Sequence, residues 1–448
     1  MKVNAQRLQL IALIIIGAML FLCKLWQGDM RGDCLFYSEV AKEILKTGDW
    51  ITMHHGYRPY FNKPPLLFWL TAINYKIFGI NNFAARLWSP LFALLSGIVF
   101  FFLAKRFFSE KVAFLSALVL YLTKDFVKDN MGLHLDSAIV FSIVAFIFFF
   151  TLNEWKFAVL AGISFGIGLL GKGIQACYGP LIVVALLLFT QPKKTIDPKL
   201  WVSIMIGIGC FIIWFIPQVV LHNREFLDVF VFKQTLGRVT GAFSYSKGKV
   251  YYLKVLLENY WPWLILLPFG LWRIWKRGRG EQRVLVFSWI GVVAFSLCFP
   301  EPEYGRYLLP IYPAFALAIG FFLADLIKEH LFQKLVKFVL SIGIVGFFLL
   351  NIFPIQLHEN AYGKLRELKP FVDYLLKKER TQLQLLSPHY RTYTAVLFYF
   401  DIVPVVVAKD NVKEGILIVE RKKENLIPDY CNELFSNSQY ILAKCRTN

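Results

Sequence analysis

Charged residues are scarce in this chain and acidic ones scarcer still: 18% of its 448 residues are Asp, Glu, Lys or Arg, with 30 acidic against 49 basic. Beside 57% hydrophobic residues, 17% aromatics and a mean hydropathy of +0.53, too few polar side chains remain to cover a soluble globular surface. That excludes a soluble domain and leaves an integral membrane protein. No Cys-x-x-Cys occurs, and the seven cysteines are odd in number and scattered mostly through apolar runs, which excludes a disulfide framework and the spacing of a metal cluster. Only Cys431 and Cys445 share a polar tail, where an oxidising compartment would let them pair. There is no internal repeat or low-complexity tract. No small-residue cleavage site follows the first apolar run, so that run reads as a retained span rather than a signal peptide.

What the chain has in quantity is apolar runs, about eleven of them, near 8–26, 83–103, 111–122, 133–152, 157–170, 174–190, 200–221, 261–275, 284–299, 307–326 and 335–353. Most approach the length that crosses a hydrocarbon core of roughly 30 Å; those at 111–122 and 157–170 are short. A net charge of +19 would suggest nucleic acid in a soluble protein. Here the basic residues of the short connections (Lys105, Arg106, Lys111; Lys193, Lys194, Lys199; Arg273, Lys276, Arg277, Arg279, Arg283; Lys328, Lys334, Lys337) fall on one side of the bundle when spans are counted from a cytoplasmic amino terminus. The positive-inside rule accounts for the charge, and no nucleic-acid partner is expected. The expected location is a bacterial inner membrane, with 27–82, 123–132, 222–260 and everything after 353 on the periplasmic side.

After 353 the pattern turns polar. An amphipathic helix over 357–378 and short strands over 383–386, 403–408 and 415–420 predict a small α/β domain over 355–448 behind a transmembrane domain over 1–354. Within the first outer loop, 34–46 repeats Leu35, Val40, Ile44 and Leu45 against Glu39, Lys42, Glu43 and Lys46, the pattern of a helix lying on the membrane surface. A second such helix, 64–78, opens with Pro64-Pro65.

Polar groups beside the bilayer carry the chemistry, if there is chemistry. Asp33 precedes the first surface helix, where an Asp is also a favoured N-cap. Asp136 stands at the outer start of a span, where a carboxylate needs a partner or a wet cavity. Lys63, Lys172, Arg238 and Arg306 map to outer ends of spans or to the outer loop; singly each reads as well as a snorkelling cation, but four from separate segments read as an anion site. The glycines around Lys172 in Gly168-Leu169-Leu170-Gly171-Lys172-Gly173 suit close backbone approach or helix packing. Glu301, Glu303 and Arg306 also read as a self-paired turn. Adjacent His54 and His55 point different ways and read as solvated loop residues rather than metal ligands. The aromatics Tyr251, Tyr252, Tyr260, Trp261 and Trp263 read as an interfacial belt.

The stretch Asp33-Cys34-Leu35-Phe36-Tyr37-Ser38-Glu39, then Gly48-Asp49-Trp50, Lys63-Pro64-Pro65-Leu66 and Ala85-Arg86-Leu87, resembles the opening of GT-C glycosyltransferases of the aminoarabinose and protein O-mannosyl transferase superfamily. It is most similar to the lipid A aminoarabinose branch. The likeness continues through Gly168 to Gly173, Asn223-Arg224-Glu225-Phe226 with Arg238, Tyr251-Tyr252, Pro262-Trp263 and Tyr307-Leu308-Leu309-Pro310, over about the first 355 residues. It implies a mainly α, polytopic GT-C bundle that takes a sugar from a polyprenyl-phosphate carrier and transfers it with inversion. The resemblance also implies Asp33 near the reaction centre, Lys63 and Arg238 at the donor phosphate and Tyr307 at the cavity. With the residues read above, the expected site is Asp33, Asp136 and Tyr37 as catalytic groups, Lys63, Arg58, Lys172, Arg238 and Arg306 around phosphate, and Glu303 and Tyr307 lining the cavity.

Departures from the branch bear on substrate and metal. Where it commonly reads Asp-Glu-x-Arg-Tyr, this chain has Asp33-Cys34-Leu35-Phe36-Tyr37. Where it has a Glu before Lys-Pro-Pro and a His three residues before the Arg, both associated with metal, this chain has Asn62 and Thr235, so no zinc site is expected there. No organic cofactor is expected, and dependence on another divalent metal is left open. The tail is also shorter than that branch carries. The expected partners are membrane lipids, the polyprenyl-phosphate sugar and a lipid A or other glycan acceptor, met by a monomer. Protein O-mannosyl transfer is the rival within the enzyme class, and a lipid-sugar transporter or flippase the rival outside it.

Overall fold

The computed structural model describes residues 2–239, 247–248, 250–353 and 360–446. Among them the chain is mainly helical and divides into two compact units, one comprising Met1–Leu25, Tyr60–Leu70 and Arg86–Ile355, the other Trp26–Pro59, Thr71–Ala85 and Gln356–Asn448. The sequence division at 354/355 lies outside the described residues; compactness groups the tail with most of the first outer loop in one unit.

In the first unit every one of the apolar runs falls on a helix: α1 (Lys2–Leu22), then, after α2 and α3 below, α4 (Trp88–Phe107), α5 (Glu110–Tyr121), α6 (Asp136–Thr151), α7 (Trp155–Lys172), α8 (Tyr178–Thr190), α9 (Pro198–Leu227), α10 (Trp263–Arg277), α11 (Gly280–Ser296), α12 (Tyr312–Leu326) and α13 (Glu329–Ile352). Five of the described helices are long and apolar enough to cross a membrane by themselves: Trp88–Phe107, Trp155–Lys172, Pro198–Leu236, Gly305–Leu326 and Glu329–Ile352. Gln6–Leu22, Leu66–Phe78, Asp136–Thr151 and Ile174–Thr190 are shorter apolar helices.

Glycine sets how closely these helices approach. A Cβ at Gly171 would meet Ala138 at 3.0 Å and one at Gly168 would overlap Ser142, so α7 lies against α6 with no side chain between them. Of the two readings of the Gly168–Gly173 segment, helix packing therefore holds, and close packing is also what brings the end of α7 beside the start of α6. Lys24, fully buried after α1, donates to the Phe353 carbonyl, which the end of α13 leaves without a helical partner.

The two helices expected on the membrane surface form as α2 (Gly32–Thr47), in the second unit, and α3 (Leu66–Phe78), whose residues to Leu70 belong to the first unit and the rest to the second. Each lies within two residues of its expected bounds, but the charged face expected on α2 is corrected, because Glu39, Lys42 and Glu43 are buried. Arg31 occupies the N-cap of α2 and Asp33 lies in its first turn, so Asp33 complements the helix dipole rather than capping the helix. His54 and His55 form β1, paired with β2 (Arg58–Pro59). The solvated reading of this pair is corrected: the His55 ring stacks on Phe36 at 4.2 Å, its Nε2 lies 3.2 Å from the Thr394 hydroxyl, and burial lowers its pKa to about 4. Glu43 fixes the turn between these strands by accepting from the backbone N–H groups of Gly56 and Tyr57.

The tail forms a five-stranded sheet in the order β4-β3-β5-β7-β6, with β3 (Leu383–Leu386), β4 (Val405–Val407) and β5 (Gly415–Glu420) parallel, and β6 (Cys431–Ser436) and β7 (Tyr440–Cys445) antiparallel beside β5. Cys431 and Cys445 are bonded across β6 and β7. The expected helix begins outside the described residues and is seen as Gly363–Arg366 and Lys369–Glu379. Side chains from the first loop tie it to the tail. Asp29 accepts from the Tyr362 amide and pairs with Arg366 at 3.0 Å, while buried Lys42 donates to the Leu397 and Phe398 carbonyls and pairs with Asp401 at 2.6 Å. Glu39, fully buried 3.8 Å from the Lys42 ammonium, has its pKa raised to about 7 by burial.

Candidate active site

Asp136 is the first residue of α6 and Lys172 the last of α7, the helix ends whose partial charges favour an anion and a cation respectively. Gly173, at φ +93°, ends α7 with a conformation that a side chain would strain. The Lys172 ammonium donates to one Asp136 carboxylate oxygen, and the Arg306 Nε lies 4.0 Å from the other. The pair is almost out of solvent, with side-chain exposures of 8% and 5%. A paired buried carboxylate at a span end answers the cost anticipated for Asp136.

Tyr307 is the hinge of the cluster. Its ring lies under the Lys172 ammonium at 5.0 Å, and its hydroxyl accepts from Arg238 Nη1 at 3.2 Å. Gln234 Oε1 holds the other face of the Arg238 guanidinium, accepting from Nη2 at 2.9 Å and Nε at 3.3 Å. Gln234 lies in a π-helical stretch, Asp228–Leu236, that continues α9 and delivers Arg238. Thr235 turns its hydroxyl to the Phe230 carbonyl. Arg306 stacks over Tyr304 at 5.2 Å, and Tyr304 meets Tyr307 edge-on. Glu303, fully buried, accepts from the Lys247 backbone N–H at 2.8 Å, so it secures a neighbouring segment.

Lys63 completes the set. Two residues before it, Phe61 is buried among Trp214, Phe226 and Phe230, with its ring 5.5 Å from that of Phe226, and Pro64 and Pro65 are buried immediately after it. The same aromatic cluster holds the stretch that carries Arg238, so Lys63 and Arg238 share one support. Among the described residues the Lys63 ammonium has neither an ion-pair nor a hydrogen-bond partner. Burial, and after it the positive charges of Arg238, Lys172 and Arg306, push its pKa down to about 7, against a weaker pull from Asp136.

Lys172 and Arg306 thus engage the Asp136 carboxylate, and Lys63 and Arg238 bring two further positive charges to the cluster. An anion with several oxygens would relieve the mutual repulsion and occupy the free donors of Lys63. Because Lys63 carries its proton below about 7 and sheds it above, affinity for such an anion is expected to fall several-fold between pH 6 and pH 8.5. A Lys63→Arg protein should lose that dependence. Binding of a short-chain lipid phosphate followed across pH checks it, and an identical slope in both proteins would contradict the assignment.

Asp33, Tyr37 and Arg58 belong to the other unit. Asp33 is half-buried in the first turn of α2, Tyr37 is buried one turn later, and Arg58 is exposed on β2. The sequence reading missed two groups beside Asp136. His134 Nδ1 lies 2.8 Å from the Asp129 carbonyl, its backbone is held by Ser89, and burial raises the Asp129 pKa to about 6. The density of polar residues in Asp125–Asp136, between two apolar runs, was the available signal. No three His, Cys, Asp or Glu side chains among the described residues converge on a point that could hold a metal ion.

The structure superposes on ArnT from Cupriavidus metallidurans bound to undecaprenyl phosphate with a TM-score of 0.74, at 16% identity and over 96% of both chains. It also matches the archaeal oligosaccharyltransferase AglB from Archaeoglobus fulgidus with a TM-score of 0.63, at 12% identity, over 94% of this chain and 70% of that one. Residues 62–216 match the dolichyl-phosphate-mannose-protein mannosyltransferase family model. An undecaprenyl phosphate-α-4-amino-4-deoxy-L-arabinose arabinosyl transferase of Yersinia pestis is 28% identical over 67% of this chain and 56% of its own length, and an uncharacterized protein of Aquifex aeolicus is 27% identical over 64% and 58%. The matched stretch thus spans under three-fifths of the length of these relatives. The chain is thus similar to aminoarabinose and protein mannosyl transferases in sequence, and it shares the fold of ArnT and AglB.

Proposed function

We propose that the protein transfers a sugar from a polyprenyl-phosphate carrier to lipid A or another envelope glycolipid, on the periplasmic face of the inner membrane, with inversion at the anomeric carbon. The observation that carries this reading is the cluster of Lys63, Lys172, Arg238 and Arg306, in which Lys63 has no partner among the described residues. As the bond between the anomeric carbon and the phosphate oxygen breaks, its electron pair passes to the departing lipid phosphate. Cations fixed in advance stabilise that charge. Asp136 keeps Lys172 and Arg306 in place, and Tyr307 orients Lys172 and Arg238.

The acceptor oxygen forms the new bond on the opposite face of the sugar, and Asp33 takes its proton when the acceptor is a hydroxyl. When the acceptor is a phosphate, Asp33 acts by position and charge. A single displacement needs one such carboxylate, whereas retention through a covalent intermediate needs a second close by. The mannosyltransferase family match favours protein O-mannosyl transfer as the second reading. A transporter fits less well, because the charged groups sit at helix ends rather than at mid-span.

Mass spectrometry of envelope lipids from cells with and without the protein tests the reading. One glycolipid class should lose the mass of a single sugar when the gene is removed. Unchanged lipids together with a loss of protein-bound mannose would favour the second reading.

A further inference from the structure

A cavity of about 360 Å³ opens in the first unit at the other end of α6 from the cluster of Asp136, Lys172 and Arg306. Its wall includes Phe150, Thr151 and Leu187, at the close of α6 and α8, whereas Asp136 opens α6. The 16 residues of α6, at about 1.5 Å each, put the two sites more than roughly 20 Å apart. The floor is apolar, formed by Phe107, Phe150, Val183, Leu186 and Leu187.

The rim is charged in a particular pattern. Arg106 and Lys194 are exposed, and neither side chain has an ion-pair or hydrogen-bond partner among the described residues. Of the two acids, Asp197 is satisfied: it caps α9 by accepting from the Lys199 amide at 2.9 Å and lies 3.9 Å from the Lys199 ammonium. Among the described residues Glu281 has only a neutral partner, the Gln191 amide at 3.3 Å. Close by in sequence, Phe189 and Ile196 are 76% and 78% exposed, as side chains facing hydrocarbon are.

We propose that this cavity binds the head group of a zwitterionic glycerophospholipid, one with a phosphate and a primary ammonium. Arg106 and Lys194 take the phosphate, Glu281 takes the ammonium, and the apolar floor takes the glycerol and the first methylenes. The site is independent of the sugar-transfer reading and lies at the opposite membrane face. A solvated rim of positive-inside cations would need neither the cavity nor an acid whose described partner is a neutral amide.

The test uses the full-length protein, exchanged in detergent micelles with defined lipids and weighed by native mass spectrometry. Phosphatidylethanolamine should be retained over phosphatidylglycerol. The Arg106→Gln/Lys194→Gln protein should retain roughly thirtyfold less of both, since each of the two cations near a lipid phosphate contributes of the order of 1 kcal/mol. Glu281→Gln should remove only the preference between the two lipids. Free O-phosphoethanolamine should not displace the lipid; displacement at equal concentration would assign the cavity to a soluble phosphate ester and overturn the proposal. Unchanged retention in the double variant would overturn it too, provided that variant unfolds at the wild-type temperature.

Discussion

An Asp33→Asn protein is expected to bind the donor lipid within about threefold of wild type and to turn over about a thousandfold more slowly, the range lost when a positioned proton acceptor is removed. Asparagine keeps the size and much of the hydrogen-bonding capacity of aspartate but cannot take a proton or carry charge. Asp33 lies in the first turn of α2, where a negative side chain complements the helix dipole, and its loss there costs the helix at most about 1 kcal/mol. Single-turnover kinetics with saturating donor separate the two effects. Undiminished turnover would remove Asp33 from the reaction. Weakened donor binding at unchanged single-turnover rate would move it to the binding step.

The second large effect is on stability. Replacing Lys172 with methionine leaves the Asp136 carboxylate buried at the start of α6, with Arg306 at 4.0 Å as its remaining partner. Removing one member of a buried pair costs roughly 3–5 kcal/mol, because the other charge is left without compensation. Arg306 limits the loss, so the lower end of that range is expected. The Lys172→Met/Asp136→Asn protein should recover most of it, since the uncompensated charge is then gone. Both proteins should be inactive, which makes thermal unfolding in detergent the informative readout. If the double variant is no more stable than the single one, the pair is not what holds α6 against α7 at this end.

Much of this site could be read from the sequence because the bilayer makes polar groups conspicuous. Lys172 interrupts an apolar run and Asp136 opens one, so both stood out, and Arg238 and Arg306 flank runs in the same way. Their mutual distances were not legible. They depend on Gly168 and Gly171 drawing two helices together and on the π-helical stretch that presents Arg238. Phe61, which joins the aromatic cluster two residues before Lys63, was not singled out in the sequence.

The tail was harder to read. Strand β3 holds three buried Leu around Gln384 and β5 a buried Ile-Leu-Ile-Val run, and their bounds were found from those residues. Strand β6 mixes Asn432 and Glu433 with Leu434 and Phe435 around a register shift, so it carries no clean alternation. The grouping of 26–59 with the tail rests on Asp29, Lys42 and Asp401, residues over three hundred positions apart. No local pattern encodes that pairing. His55 was misjudged for the same reason, since Thr394, its hydroxyl neighbour, comes from the tail.

The central claim is that the cation cluster holds a lipid phosphate, and the affinity of the full-length protein for a short-chain polyprenyl phosphate tests it most directly. Lys63→Met and Arg238→Met should each weaken binding about tenfold to a hundredfold, as loss of a charge-assisted hydrogen bond does, with a steeper loss at low salt than at high salt. Affinities equal to wild type in both variants, at pH 6 and in low salt, would contradict the account.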